Sequence, residues 1–193
     1  MIRIATQADV AAMLAVYAPY VTDTTYSFEY TVPTLEVFTQ RFVSISEAFP
    51  WLVWEEDGKI LGYAYGSLPF ERAAYAWCGE VSIYLAPQAQ GRGVGRRLYT
   101  ALEKLMRLQG YHRVYALVTS ENTGSLAFHE KLGYRLRAEF TDCGYKKGRW
   151  LGVRWLEKEL KKEEKPMQMP TPWHILREKI EDLLQNIDVL PLP

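Results

Sequence analysis

The sequence predicts an α/β fold, helices against a sheet with a C-terminal helical appendage, and three observations point to it. Stretches of period-2 alternation such as "CGEVSIYL" take turns with stretches of helical period such as Val94, Leu98, Ala101, Leu102 and Leu105. Asp57-Gly58 between "WLVWEE" and "KILGYAYGS" marks an antiparallel hairpin closed by a two-residue turn. "QGRGVGRR" joins a strand to a helix, where its glycines need a reason, because glycine inside a helix costs roughly 1 kcal/mol against alanine.

In chain order, "IRIA" reads as a short strand, and Thr6 with Asp9 as a cap-like pair opening a helix through about Tyr20. "VTDTTYSFEYTVP" is irregular and rich in threonine and aromatics, the composition of a loop that lines something. Thr34 caps a second helix ending near "AFP"; the hairpin follows, then the loop "LPFERAAYAW". "CGEVSIYLAP" is a long strand stopped by Pro87, and Gly110 ends the helix after the glycine loop. "HRVYALVTS" is a strand, and "ENTGSLAFHEKLG" a short helix with Asn122 or Thr123 as cap and Gly133 as stop. "YRLRAEFTDCGYK" and "RWLGVRWLEKEL" are two last strands, completing a domain over residues 1–160. Residues 161–193 hold a charged, proline-bounded linker, "KKEEKPMQMP", and an amphipathic helix. Thr171 reads as its cap with Pro172 in its first turn, and Trp173, Leu176, Ile180, Leu183, Leu184 and Ile187 as one apolar stripe that must dock.

Composition narrows the function. Lysine plus arginine number 23, as do aspartate plus glutamate, so no net field favours nucleic acid or an anionic membrane, and neither partner is expected. No apolar run approaches the roughly eighteen residues of a membrane span, and "MIRIATQADV" lacks a signal-peptide layout, so a cytoplasmic location is expected. Cys78 and Cys143 stand far apart and outside any CxxC pattern, which fits a reducing compartment. His112, His129 and His174 are scattered without ligand spacing, so no metal is expected.

Bare backbone at a helix entrance suits an anion: the first N–H groups can close on it directly, aided by the helix dipole. Arg92, Arg96 and Arg97 favour this reading, since cations there oppose the dipole unless an anion lies between. "GRGVGRR" lacks the GxxxxGK[ST] order of a nucleoside-triphosphate loop and misses GxGxxG by one residue. No acidic residue stands where a dinucleotide fold would hold ribose. A plain glycine turn is the remaining alternative.

The order β-α-α-β-β-β-α-β-α-β-β around "QGRGVG", Gln90 through Gly95, resembles the GNAT superfamily of acetyl-CoA-dependent N-acetyltransferases, whose pyrophosphate loop reads Q/R-x-x-G-x-G/A. Within it the chain is similar to the phosphinothricin and methionine sulfoximine acetyltransferase branch. "SFEYTVPT", "FPWLV", "GYAYGS", "RAAYAW", "EVSIYLAP", "FHEKLGY" and "GYKKGRW" follow that branch's order and spacing over residues 1–160, leaving the tail unexplained. The resemblance implies a GNAT-like mixed, mostly antiparallel sheet flanked by helices. It implies acetyl-CoA as cosubstrate, no metal, and a homodimer. The implied reaction moves acetyl to the primary amine of a small amino-acid-like acceptor, of the phosphinothricin or methionine sulfoximine type, by direct transfer in a ternary complex. Another amine (an antibiotic or a protein terminus) and a non-catalytic coenzyme-binding module are the alternatives.

The same resemblance assigns the pyrophosphate to Gln90, Gly91, Arg92, Gly93, Val94, Gly95 and Arg96, and the pantetheine arm to the backbone of Ile83, Tyr84 and Leu85. Those N–H groups would also face the thioester oxygen. Alternation along "CGEVSIYL" puts Cys78, Glu80, Ser82 and Tyr84 on one strand face, and Val81, Ile83 and Leu85 on the other. Glu80 matches the branch's proposed base, and a desolvated carboxylate has the raised pKa a base needs; a solvated strand-end glutamate is the plain alternative. Cys78 reads as a small buried thiol. His129 stands where many members carry an acid tyrosine, in "FHEKLGY" against F-Y-x-K-L-G-F, and is either the acid or a helix histidine without a role. Asn122 resembles the asparagine that contacts the coenzyme and is equally an N-cap. Phe28, Glu29, Ser82 and Arg72 make up the expected acceptor wall, with Glu29 for an ammonium and the forked Arg72 guanidinium for a carboxylate or phosphinate.

Overall fold

Asp57 and Gly58 both adopt positive φ, 49° and 71°, the mirror-image turn whose twist matches the strands it joins. In the computed structural model, which describes residues 1–162 and 168–188, this turn links β2 (Trp51–Glu56) to β3 (Lys59–Ser67). The other strands are β1 (Ile2–Ile4), β4 (Cys78–Leu85), β5 (Arg113–Thr119), β6 (Arg135–Lys146) and β7 (Arg149–Glu159). They form one sheet in the order β1-β2-β3-β4-β5-β7-β6, antiparallel throughout except between β4 and β5.

Each face of the sheet has its own core. On one, α3 (Val94–Gln109) buries Leu98, Ala101, Leu102, Leu105 and Met106 against Leu52, Val81, Val114 and Ala116. The short α4 (Thr123–Lys131) adds Leu126 to that side. On the other, α1 (Val10–Thr22) and α2 (Leu35–Ser46) bury Met13, Val16, Tyr17, Phe38 and Phe42 on Trp51, Val53 and Tyr63. This second core is aromatic: Trp51 stacks on Tyr65 with ring centroids 3.9 Å apart, and Tyr84 meets Tyr17 edge-on at 4.7 Å. Burying a large aromatic contributes about 1.5–3 kcal/mol, so such rings fix the floor beneath β3 and β4.

Caps follow the expected residue types, with one correction. Thr6 and Asp9 form the expected capping pair: the Asp9 carboxylate accepts from the Thr6 N–H at 2.7 Å and from the Arg3 guanidinium at 2.7 and 2.8 Å. Those bonds hold its pKa at about 2. The C-terminal helix starts later than the Thr171 cap would have it. Thr171 spends its backbone on Gln109, N–H to carbonyl at 2.7 Å, so Pro172 takes the cap position, a single tight turn spans Trp173–Leu176, and α5 runs Arg177–Asp188. α5 lies on α3 and β1 with Ile180, Leu184 and Ile187 buried, which satisfies the expected stripe. The Trp173 indole donates to Ser46 O at 2.7 Å, pinning the entry of the helix to the end of α2.

Deleting residues 162–193 uncovers those apolar partners on α3 and β1. The expected outcome is a melting temperature several degrees lower, or self-association, read by calorimetry and light scattering. Unchanged melting and mass would show that the appendage contributes nothing to the core.

Candidate active site

β4 and β5 run together only briefly, with Cys78, Gly79 and Glu80 opposite Arg113, Val114 and Tyr115. Beyond that point β4 stays with β3 as far as Leu85, and β5 stays with β7 as far as Thr119, so the two strands part. The Ala86 N–H bonds Leu61 O at 2.8 Å. Alternation along an antiparallel ladder then turns the backbone groups of Val81, Ile83 and Leu85 away from β3 and into the gap.

Side-chain hydroxyls take the place of a strand partner at both ends of the gap. From α1, Tyr20 Oη donates to Leu85 O at 2.6 Å and accepts the Leu85 N–H at 3.1 Å. From α3, Tyr99 Oη reaches Val81 O at 3.3 Å. Ile83 lies between them and turns its N–H and C=O into the gap. The strands border a groove of about 470 Å³ lined by Tyr20, Tyr26, Ile83, Gly95, Asn122 and Phe128, among others. A cavity of about 70 Å³ continues between the strands to Tyr99, Ser125 and His129.

The glycine loop closes one end of this groove. Gly91 and Gly93 have φ of 71° and 78°, and Gly93 is the N-cap of α3, so no side chain shields the first turn. At Gly95 a Cβ would come within 3.3 Å of Leu85 and 3.4 Å of Phe128, so here glycine serves close packing of helix on strand. The arginines separate in role. Arg92 is held by Glu56 at 2.9 Å and by Gln88 O at 3.1 Å, Arg97 lies over the Trp54 ring at 5.9 Å, and Arg96 is exposed on the first turn. Gln90 reaches the Tyr20 hydroxyl and Leu85 O at 3.4 Å, and Val94 is buried in the core.

Asn122 is the N-cap of α4, its Oδ1 accepting the Ser125 N–H at 3.1 Å, and also borders the groove. His129 is buried with both ring nitrogens engaged. Nδ1 lies 2.7 Å from Ser125 O, so it carries hydrogen, and Nε2 lies 2.9 Å from the Tyr99 hydroxyl. Burial pulls the imidazole pKa below its ordinary value. With the ring neutral, Nε2 shares the single hydrogen of the Tyr99 hydroxyl with Val81 O, so His129 stands behind Tyr99 at this end of the gap.

Across β4, Glu80 and Ser82 face the aromatic core side, as alternation requires, with Tyr65 paired to Ser82 and Tyr115 level with Glu80. Glu80 has no hydrogen bond or ion pair among the described residues, and burial alone raises its pKa. The aromatic loop over this face is stapled from below. Buried Lys146 donates to Val21 O at 2.8 Å and Ser27 O at 2.7 Å, and burial lowers its pKa. Tyr17 and Ser27 share a hydrogen bond at 2.6 Å, and Thr25 donates to Glu121 at 3.0 Å. Phe28 lies on Gly144 so closely that a Cβ there would be 2.2 Å from its ring.

One expected coenzyme contact is disposed otherwise than the expectation had it. Tyr84 turns its backbone to Tyr63 of β3, and its ring is in the aromatic core, so of the triplet 83–85 Ile83 alone has its backbone open to the gap. Glu29 is ion-paired with Arg41 of α2. Arg72 is exposed, in a groove with Phe70, Tyr111, Met169 and Pro170. Sequence reasoning missed Tyr20, Tyr99, Arg41 and Lys146, and a polar tip on an otherwise inward-facing position was the signal each of them offered.

The comparisons agree with this geometry. The chain matches the acetyltransferase (GNAT) domain model over residues 2–155, and it belongs to that family of N-acetyltransferases. It is 34% identical to a phosphinothricin N-acetyltransferase of Streptomyces viridochromogenes, over 82% of this chain and 86% of the relative. It is 31% identical to an L-methionine sulfoximine/L-methionine sulfone acetyltransferase of Salmonella typhimurium, over 86% and 97%. Its fold superposes on a crystal structure of a GNAT superfamily phosphinothricin acetyltransferase from Sinorhizobium meliloti in complex with AcCoA. The TM-score is 0.82 at 29% identity, covering 90% of this chain and 97% of that one.

Gly93→Val forces a β-branched residue into a left-handed backbone and puts a side chain at the mouth of α3. Coenzyme affinity measured by calorimetry should fall at least about tenfold, beyond the ~1–2 kcal/mol of folding strain. Wild-type affinity would remove the loop from coenzyme binding.

Proposed function

We propose that the chain transfers acetyl from acetyl-CoA to the primary amine of a small amino-acid-like acceptor, directly within a ternary complex. The observation that carries this reading is the gap between β4 and β5, with a glycine-rich helix entrance at one end and a desolvated glutamate beside it. These features fit the cosubstrate. Open N–H groups at the α3 entrance, with Arg96 beside them, suit a pyrophosphate, and the Ile83 backbone suits an amide-bearing arm laid along a strand. When bound, acetyl-CoA supplies the activated thioester.

The protein's part is to orient and to move one proton. The Ile83 N–H is the donor offered to a carbonyl oxygen in the gap, as an oxyanion hole would offer it. Glu80 accepts a proton from the acceptor's ammonium, leaving the nitrogen lone pair free to attack. Its carboxylate is the right group for this because burial has raised its pKa with no cation to offset it. Phe28, Ser82 and Arg72 form the acceptor wall in this reading, Arg72 taking the carboxylate, and Glu29 contributes through its pair with Arg41. His129 acts behind Tyr99. Exposed Leu136, Phe140 and Trp150 along the outer hairpin support a second copy of the chain as partner, and two free thiols support a cytoplasmic setting. Release of free thiol from acetyl-CoA, scanned over amino acids and simple amines, tests the whole reading.

Glu80→Gln keeps the shape and removes the basic oxygen, so turnover should fall by roughly 10²–10⁴-fold while coenzyme affinity stays put. The base works ionised. Wild-type rate should therefore decline as pH drops through a midpoint above that of an exposed glutamate, and the variant should lack this limb. The variant's deficit should shrink toward the pKa of the amine itself. An equal loss at every pH would make Glu80 a positioning group.

Arg72→Ala should raise KM for carboxylate-bearing acceptors by about tenfold and leave simple amines unaffected. Equal effects on both classes would take Arg72 out of the carboxylate role.

A further inference from the structure

The C-terminal appendage lies outside the matched family region, which ends at residue 155, yet it touches the loop that leads into β4. The Trp77 indole N–H donates to Gln168 O at 2.8 Å. Met169 and Pro170 line a groove of about 160 Å³ together with Phe70, Arg72, Ala76 and Tyr111. This stretch is itself fastened to the body of the protein. Gln109 Nε2 donates to Thr171 O at 3.1 Å and to Ala48 O at 2.9 Å, and the Thr171 N–H returns a bond to Gln109 O. Pro170 lies against Gly110, where a Cβ would meet its Cα at 3.6 Å. The tail thus carries a rigid edge from the end of α3 to the side of the loop.

The loop 68–77 needs such an edge. Leu68 and Tyr75 are exposed, and so is Arg72. On its other side the loop is held by Phe70, which stacks on Trp155 at 5.8 Å and meets Tyr115 at 6.1 Å. Tyr115 is level with Glu80 in the strand register, so Phe70 anchors the loop on the face that carries the base. At its end the Trp77 carbonyl accepts the His112 N–H at 2.8 Å; the remaining fixings are rings over the base's face and the tail at its back, with Arg72 between them.

We propose that the tail is a positioning element for the acceptor, with Trp77 as the residue through which residues 168–170 hold the loop and so orient Arg72. This rests on the reading of loop 68–77 as the acceptor wall. Holding a flexible binding loop in its working geometry raises affinity by removing ordering entropy, and small misplacements of a binding group are expensive in rate. Among the described residues, none of the tail lines the groove at the glycine loop or the cavity at the gap, so its effect falls on the acceptor and spares the coenzyme.

The experiment uses the full-length chain with Trp77→Phe, which keeps a ring and removes the N–H, beside wild type and Arg72→Ala. Three quantities are read: KM for a carboxylate-bearing amino acid, Kd for coenzyme A, and amide hydrogen exchange over residues 68–77. The expected result is a KM about three- to tenfold higher, on the scale of one lost hydrogen bond, with unchanged coenzyme Kd and faster exchange in the loop. Arg72→Ala should raise KM at least as much, with exchange at the wild-type rate. If Trp77→Phe leaves KM and loop exchange unchanged while Arg72→Ala raises KM, the tail has no positioning role and the acceptor wall stands. If Arg72→Ala also leaves KM unchanged, the acceptor reading of the loop falls, and the proposal with it. A loss of coenzyme affinity in Trp77→Phe would show a general effect on folding and overturn the proposal as well.

Discussion

The parting of β4 from β5 is the constraint on which the rest of the structure depends. Two strands that diverge in the middle of a sheet leave backbone groups without partners, and each such group would cost about 1–3 kcal/mol if buried and unsatisfied. The fold meets that cost at the ends of the gap with Tyr20 on Leu85 and Tyr99 on Val81, each on a helix packed against opposite faces of the sheet. What is left between them is a short length of strand edge at Ile83, sheltered from pairing with another strand by its position inside the sheet. A site that binds an extended, amide-bearing arm follows from that geometry without any dedicated side chain.

The polar groups around the gap share a second property: each is held by something rigid. Lys146 spends its buried ammonium on the carbonyls of Val21 at the end of α1 and Ser27 in the aromatic loop, and so ties the loop to the helix. The stacked rings of Trp51, Tyr65 and Tyr63 form a floor under the face that carries Glu80 and Ser82. Glu80 is the exception. Among the described residues it is desolvated and unpaired, an arrangement unfavourable for the ionised carboxylate and suited to a group that must take up a proton.

Much of this was legible in local pattern. Alternation along "CGEVSIYL" put Glu80 and Ser82 on one face and Ile83 on the other, and the Asp57-Gly58 turn and the Asn122 cap followed from residue type. Backbone direction was not legible. Which of residues 83–85 turns its amide into the gap depends on the register with β3, and that register is set by the distant partners Ala64, Tyr63 and Gly62. The same limit hid Tyr20, which finds Leu85 65 positions on, and Lys146, which finds Val21 125 positions back. His129 was readable as a residue of interest but not as a buried one, because the Tyr99 hydroxyl that occupies it comes from another helix. The Thr171 cap failed for a related reason: a tertiary bond to Gln109 outcompeted the local signal.

The central claim is that the coenzyme arm pairs with the backbone of β4 at Ile83. Residue-resolved amide hydrogen exchange, measured by NMR with and without coenzyme A, tests it most directly. The Ile83 amide should exchange markedly more slowly with the coenzyme bound, while the Tyr84 amide, already paired with β3, should change little. Slowing at Tyr84 with none at Ile83, or at neither, would contradict the account.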